Sequence, residues 1–233
     1  MFSGVQSASS QRLSEVRQLL DVIKILESSD PLVADGQEVR VLRGLFYVHL
    51  YGVFEFSVNR AVERLLDAVS KLNIAMCDLE PALMSLSLDS EFHSFVSQDN
   101  KKRWQKRINF LSRQHGTEKV VVTHSIVANY LQNIWQSNLL QLFECLYLSD
   151  PIVPTPNLSP YIDEIVNKRN QIAHGRESPI QVGAGTRSPE LQVRLDAMTQ
   201  IITHIISCFD NHLSTVKFVR KANRAPYLSM LPV

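Results

Sequence analysis

Apolar side chains recur at three- and four-residue spacing along most of the chain, which predicts helices; no period-two run marks a strand. Between Arg12 and Ser28 the stripe is Leu13, Val16, Leu19, Leu20, Ile23 and Leu26. Ser28-Ser29-Asp30-Pro31 stops it, because proline restricts the residue before it and has no amide hydrogen for the ladder. Residues 1–10 are small and serine-rich and read as a flexible lead-in. From Gln37 to about Leu72 runs the strongest signal. Val41, Leu45, Val48, Tyr51, Phe54, Val58, Val62, Leu65 and Val69 cover more than one face, as in a central helix packed by several neighbours. Gly44 and Gly52, eight residues apart on nearly one face, offer a neighbour a close approach at some cost in helix propensity.

Pro81 opens a Leu/Met-rich piece, PALMSLSL, and a strongly basic stretch follows, KKRWQKRINFLSRQHG. Residues 124–149 return to the helical pattern through Ile126, Val127, Tyr130, Leu131 and Ile134, then Leu139, Leu142, Phe143 and Leu146. Four prolines in DPIVPTPNLSP predict a loop. The next helix starts with Ser159 as its cap, Pro160 at the first helical position and Asp163 and Glu164 close behind, and it ends near Gly175. Residues 176–189 read as a loop, and Pro189 to about Leu213 as the last long helix. The fold class is all-α. The predicted organisation is a flexible stretch 1–10, a helical domain 11–216 with a basic insertion at about 85–119, and a tail 217–233 that is basic and then apolar.

Composition narrows the function classes. With 233 residues the chain reads as one domain, able to bury a core without staples. Lys plus Arg is 24 against 23 acids, a formal charge of +1, so any nucleic-acid surface has to be a local patch. One such patch is Lys101–Lys119, with seven cations and the single acid Glu118. Cys77, Cys145 and Cys208 are odd in number and widely spaced, which argues against a disulfide framework and for a reducing compartment. The apolar run near Val41–Phe54 is broken by Arg43 and His49, so no membrane span is predicted. MFSGVQSASS lacks the basic and apolar regions of a secretory signal, and the expected address is the cytoplasm.

Candidate chemistry concentrates in Tyr161–Arg176, YIDEIVNKRNQIAHGR. Ile162, Ile165 and Val166 form its apolar stripe, and Arg169 falls next in that series. A guanidinium drawn partly out of water there needs an acceptor. Asn170 and His174 are four apart on one face, so the amide can orient the imidazole. The same residues also read as an ordinary helix end. Histidine suits the negative pole, Gly175 suits the position after it, and Arg169 can pair with a carboxylate such as Glu55.

RNQIAHG resembles the signature of the HEPN superfamily: an Arg, four to six residues, then a His, with a polar residue just after the Arg. Here these are Arg169, Asn170 and His174. The long helix with LYGVFEFSVNRAVERLL, carrying Glu55, is similar to the second helix of that family. The nearest branch is that of free-standing RNxIAHG-type proteins of bacterial defence and toxin loci, RiboL-PSP-like, and the likeness covers roughly residues 35–215. It implies an antiparallel helical bundle working as a homodimer, with two motif helices lining one cleft. It also implies a metal-independent endoribonuclease that leaves 2′,3′-cyclic phosphate ends, with an antitoxin or defence-system protein as a further partner.

The chemistry suits these residues. RNA carries its own nucleophile, the 2′-OH; a histidine near neutral pKa moves the protons, and an arginine holds the phosphate. His174 is the expected acid/base and Arg169 the phosphate holder, with Asn170 positioning and Glu55 supporting. No metal and no cofactor is called for, and no Asp/Glu/His cluster or Cys/His spacing suits one. Toxins of this kind often carry, two residues after the His, a Tyr that a nucleotidyltransferase antitoxin adenylylates. Arg176 stands there, so this chain lacks that acceptor.

Lys168 and Arg176 flank the motif as candidate RNA contacts. Lys101, Lys102, Arg103, Lys106 and Arg107 surround Trp104, where cations can meet phosphates while the indole stacks a base; the plain alternative is a solvated helix face. Arg220, Lys221 and Arg224 raise the same choice, and His115, His124, His204 and His212 read as surface or satisfied helix histidines. Two alternatives to the nuclease are a catalytically silent domain that dimerises and binds RNA or protein, and a nucleotide-binding regulatory module.

Overall fold

The computed structural model describes residues 1–30, 33–96, 103–122 and 124–231. Its architecture is all-α: among the described residues, strand pairing is limited to two isolated bridges, Ala75 with Lys119 and Leu79 with Val219. The central element is α2 (Gln37–Lys71), whose apolar residues cover several faces because several neighbours cover them. α1 (Ser3–Leu26) packs Leu13, Val16, Leu20 and Ile23 against it. The two helices run antiparallel, since Ser57 Oγ donates to Ser9 Oγ at one end while Arg43 donates to Glu27 at the other. The last long helix, α9 (Ser188–Ser214), lies antiparallel to α1, with Phe2 on Phe209 and Ser188 on Glu27.

A buried ionic knot closes the α1–α2 connection. Arg43, 2% exposed, donates to both Glu27 and Asp35, and the Asp35 carboxyl also accepts from the Ser28 amide at 2.7 Å. That amide, with the Arg43 guanidinium, holds the Asp35 carboxyl below the usual carboxylate range. Removing the arginine strands two acids away from water, whereas the intact cluster satisfies all three groups.

Between α2 and α9 come α3 (Pro81–Ser87), α4 (Asp89–Val96), α5 (Arg103–Arg113), α6 (Gln136–Cys145), α7 (Ser159–Ala173) and α8 (Pro179–Ala184). A short α10 (Arg224–Leu228) closes the chain. Tyr227 pins it by donating to Asp78 and accepting the Ala75 amide.

Several expectations change. The first helix starts at Ser3, not Arg12, and residues 3–10 are its opening turns. Phe2 is buried against Phe209 and Ser9 sits in the α1–α2 interface, so this stretch has packing that its composition does not announce. The loop expected at 176–189 contains α8, started by a capping box between Ser178 and Gln181. Ser159 is not a cap but already helical, because a 3-10 turn at Pro156–Leu158 feeds α7 directly. The helix expected across 124–149 splits into a 3-10 segment, His124–Leu131, and α6. His212 is neither surface nor satisfied; it is fully buried on α9, and among the described residues neither ring nitrogen has a partner at good hydrogen-bond geometry.

Gly44 does admit a neighbour, and the neighbour is α8. A Cβ at Gly44 would lie 2.2 Å from the Pro179 carbonyl oxygen, and one at Gly183 would lie 2.0 Å from that of Arg40. α8 rests backbone on backbone against α2 and needs glycine on both sides. Gly52 faces open space.

Candidate functional site

α7 sets the motif in place. Ile162, Ile165 and Val166 bury one side of the helix, and Arg169, next in that series, is half-buried. Its guanidinium finds its acceptors in two amides. Nη1 donates to Asn133 Oδ1 at 2.7 Å and to Asn170 Oδ1 at 2.8 Å. The guanidinium carbon lies 4.6 Å from the centroid of the Tyr51 ring, a cation–π contact. Both Nη1 hydrogens are thereby committed, while Nε and Nη2 make no hydrogen bond among the described residues. That edge of the guanidinium is the one that grips two oxygens of a phosphate side by side.

Beneath Arg169, the Tyr51 hydroxyl donates to Glu55 Oε1 at 2.9 Å and accepts from the Ile134 amide at 3.1 Å. Burial raises the Tyr51 pKa well above that of free tyrosine and the Glu55 charge raises it further, so the hydroxyl stays protonated as a donor. Glu55 therefore meets Arg169 through Tyr51. Among the described residues no carboxylate forms an ion pair with Arg169, and none with His174.

The break before α6 supplies the other half of this support. Asn133 adopts the left-handed backbone conformation, φ 51°, which asparagine tolerates better than most residues. The chain turns sharply there, the Asn133 side chain reaches Arg169, and the Gln136 amide at the start of α6 is taken by Asp163 Oδ1 at 2.8 Å. A continuous helix would send the Ile134 amide back to its own ladder and away from Tyr51.

His174 is the residue that ends α7. Its amide is held by the Asn170 carbonyl at 3.0 Å, its side chain is exposed, and the imidazole makes no hydrogen bond among the described residues. Asn170 turns its amide oxygen to Arg169 rather than to the imidazole. Gly175 follows with φ 66°, and the Arg176 and Glu177 amides fold back onto the Gln171 carbonyl. α8 then anchors the turn by its glycine contact with α2. Lys168 is half-buried and Arg176 exposed, and neither is ion-paired among the described residues.

The basic insertion lies elsewhere. Lys101 and Lys102 fall outside the described residues, as does the Arg103 side chain. Trp104, Lys106 and Arg107 sit on α5, which is tied to α4 by Phe110 on Phe92 and by Arg113 to Glu91. Arg113 also reaches Glu118, whose carbonyl accepts the Met76 amide just beyond the end of α2. Tyr51 stands twenty residues from that end, about 30 Å of helix. Arg220 and Arg224 donate to the carbonyls of Leu79, Val219 and Lys217, so they brace the tail. Among the described residues, no three His, Cys, Asp or Glu side chains are grouped to hold a metal ion.

Sequence reasoning missed Asn133 and Tyr51. The Tyr51–Glu55 spacing of four on one helix was a readable signal. Asn133 had none, because the apolar period runs through LQNIW without interruption.

Among known proteins, the model of the family described as RiboL-PSP-HEPN matches residues 8–215. That span begins before the 35–215 inferred from the motifs and takes in most of α1. No curated protein and no solved structure matches the chain.

Proposed function

The chain belongs to the RiboL-PSP-HEPN family, and from that premise we propose that it is an endoribonuclease that cleaves RNA without a metal cofactor. The observation that carries the reading is the half-committed guanidinium of Arg169. Two amides and an aromatic ring hold it in place, and its Nε–Nη2 edge is left for a phosphate. In the reaction, the ribose 2′-oxygen attacks the adjacent phosphorus and the P–O5′ bond breaks. A neutral His174 takes the 2′ proton, and a protonated imidazole returns one to the departing 5′-oxygen. Arg169 offsets the charge that builds on the phosphoryl oxygens. The products carry a 2′,3′-cyclic phosphate and a 5′-OH.

Both proton-transfer roles are filled when two copies pair across a two-fold axis and each brings its own His174 to one cleft. Lys168 and Arg176 flank that cleft as phosphate contacts, Asn170 positions Arg169, and Glu55 acts through Tyr51. A cytoplasmic toxin or anti-phage role, held in check by a partner protein, fits such an activity.

The test is purified protein with mixed RNA, read by end-group analysis. Wild type yields cyclic-phosphate ends with or without EDTA, while His174→Ala and Arg169→Ala lose cleavage and keep the wild-type circular dichroism. Full-rate cleavage by His174→Ala ends the proposal. Salt-sensitive RNA binding with no cleavage by wild type replaces it with the silent, RNA-binding form of the same fold.

A further inference from the structure

α5 carries a surface that nothing in the motif explains. Trp104, Ile108 and Leu111, at i, i+4 and i+7, form one stripe and are 72%, 55% and 58% exposed. The helix has four cations and no acid in eleven residues, in a chain whose formal charge is +1. Its cations divide by role. Arg113 is locked to Glu91 and Glu118, whereas Lys106 and Arg107 meet no carboxylate among the described residues. The Arg107 guanidinium lies 5.1 Å from the centroid of the Trp104 ring. Gln105 and Asn109, hydrogen-bonded at 3.0 Å, run alongside as polar amides.

We propose that this face of α5 is a docking surface for single-stranded RNA, with a base stacked on Trp104 and the neighbouring phosphates on Arg107 and Lys106. The inference rests on the nuclease reading for its substrate and extends it to a second surface, away from the motif. Cations with no carboxylate partner among the described residues, set beside an exposed indole, complement a polyanion that also carries flat apolar faces. Charge rather than area selects the occupant: the helix carries four cations and no acid, which suits a polyanion better than the mixed-charge rim of a protein interface. A single stacked base needs only the indole. Duplex RNA keeps its bases inside and cannot use it.

The experiment uses the full chain with His174→Ala, so that RNA survives the titration, and a 20-residue oligouridine as probe. Trp104 emission should quench on binding, with Trp135 as the constant background. Trp104→Ala should weaken binding about tenfold, and Arg107→Ala should lower the slope of log affinity against log salt by roughly 0.7, one phosphate contact. Duplex RNA of the same length should bind more weakly than the single strand. Unchanged affinity in Trp104→Ala overturns the inference. So does a Trp104 blue shift with phosphatidylserine vesicles in the absence of any response to RNA, which assigns the stripe to a lipid surface. The two readings fail separately. Oligouridine bound through Trp104 but never cut by wild type leaves the docking surface standing. Cleavage of the oligouridine that Trp104→Ala leaves unaltered in KM leaves only the motif.

Discussion

His212 makes the protein's stability depend on pH. The ring is fully buried on α9, beside Phe218 with centroids 5.3 Å apart, and among the described residues neither nitrogen has a partner at good hydrogen-bond geometry. Burial pushes its pKa down from 6.5 to about 4, with the Lys217 charge pushing the same way and outweighing the upward pull of the Leu146 backbone and the Asp150 charge. The folded protein thus keeps the ring neutral while the unfolded chain takes up a proton below pH 6.5. Stability is present in full above 6.5 and falls as the pH drops toward 4. The whole window is worth about 3 kcal/mol, of which about 2 kcal/mol is lost by pH 5. For a chain of this size that is a fall of about 4–8 °C in Tm.

Carboxylates titrate in the same range, so the assay is a comparison. Wild type and His212→Leu are melted side by side by circular dichroism at pH 7 and at pH 5. Leucine of similar volume removes both stranded nitrogens, so the variant should match or exceed wild type at pH 7 and gain about 2 kcal/mol more over it at pH 5. A stability difference that stays constant across those pH values would refute the reasoning, because it would mean that the ring titrates normally in the folded state.

Gly183→Ala should cost at least 1–3 kcal/mol, since its Cβ falls 2.0 Å from a backbone oxygen of α2 and α8 has to lift; a Tm within 2 °C of wild type contradicts that packing. Tyr51→Phe leaves the buried Ile134 amide without its acceptor and should destabilise by about 1–3 kcal/mol in urea melts. Because Ile134 adjoins Asn133, the same variant should slow RNA cleavage with less effect on KM; unaltered kcat would detach Tyr51 from the site. Arg43→Met should lose about 3–5 kcal/mol at pH 7, and part of that should return at low pH as Asp35, held low in wild type by the Ser28 amide and Arg43, takes up a proton.

Much of the scaffold was legible because helix periodicity is a local signal. α2 and α9 come within about a residue of their predicted bounds, and the end of α7 at Gly175 follows from the left-handed conformation that glycine accepts there. The errors share a cause. Residues 3–10 look featureless until Phe2 meets Phe209, and α8 looks like a loop until Gly44 and Gly183 bring two backbones together. In both, the stabilising partner lies more than a hundred residues away along the chain.

The motif shows the same division. From the chain alone came an all-α fold, a family likeness, and Arg169, Asn170 and His174 as the residues to watch, since these depend on spacing within one helix. What holds Arg169 was decided only in three dimensions. Tyr51 and Asn133 come from separate elements, and Asn133 reaches the guanidinium only because the expected helix is broken there. A donor on one helix has no preference of its own for an amide 36 residues away. That choice belongs to the packing of α2, α6 and α7, which leaves the guanidinium half out of water with those acceptors within reach.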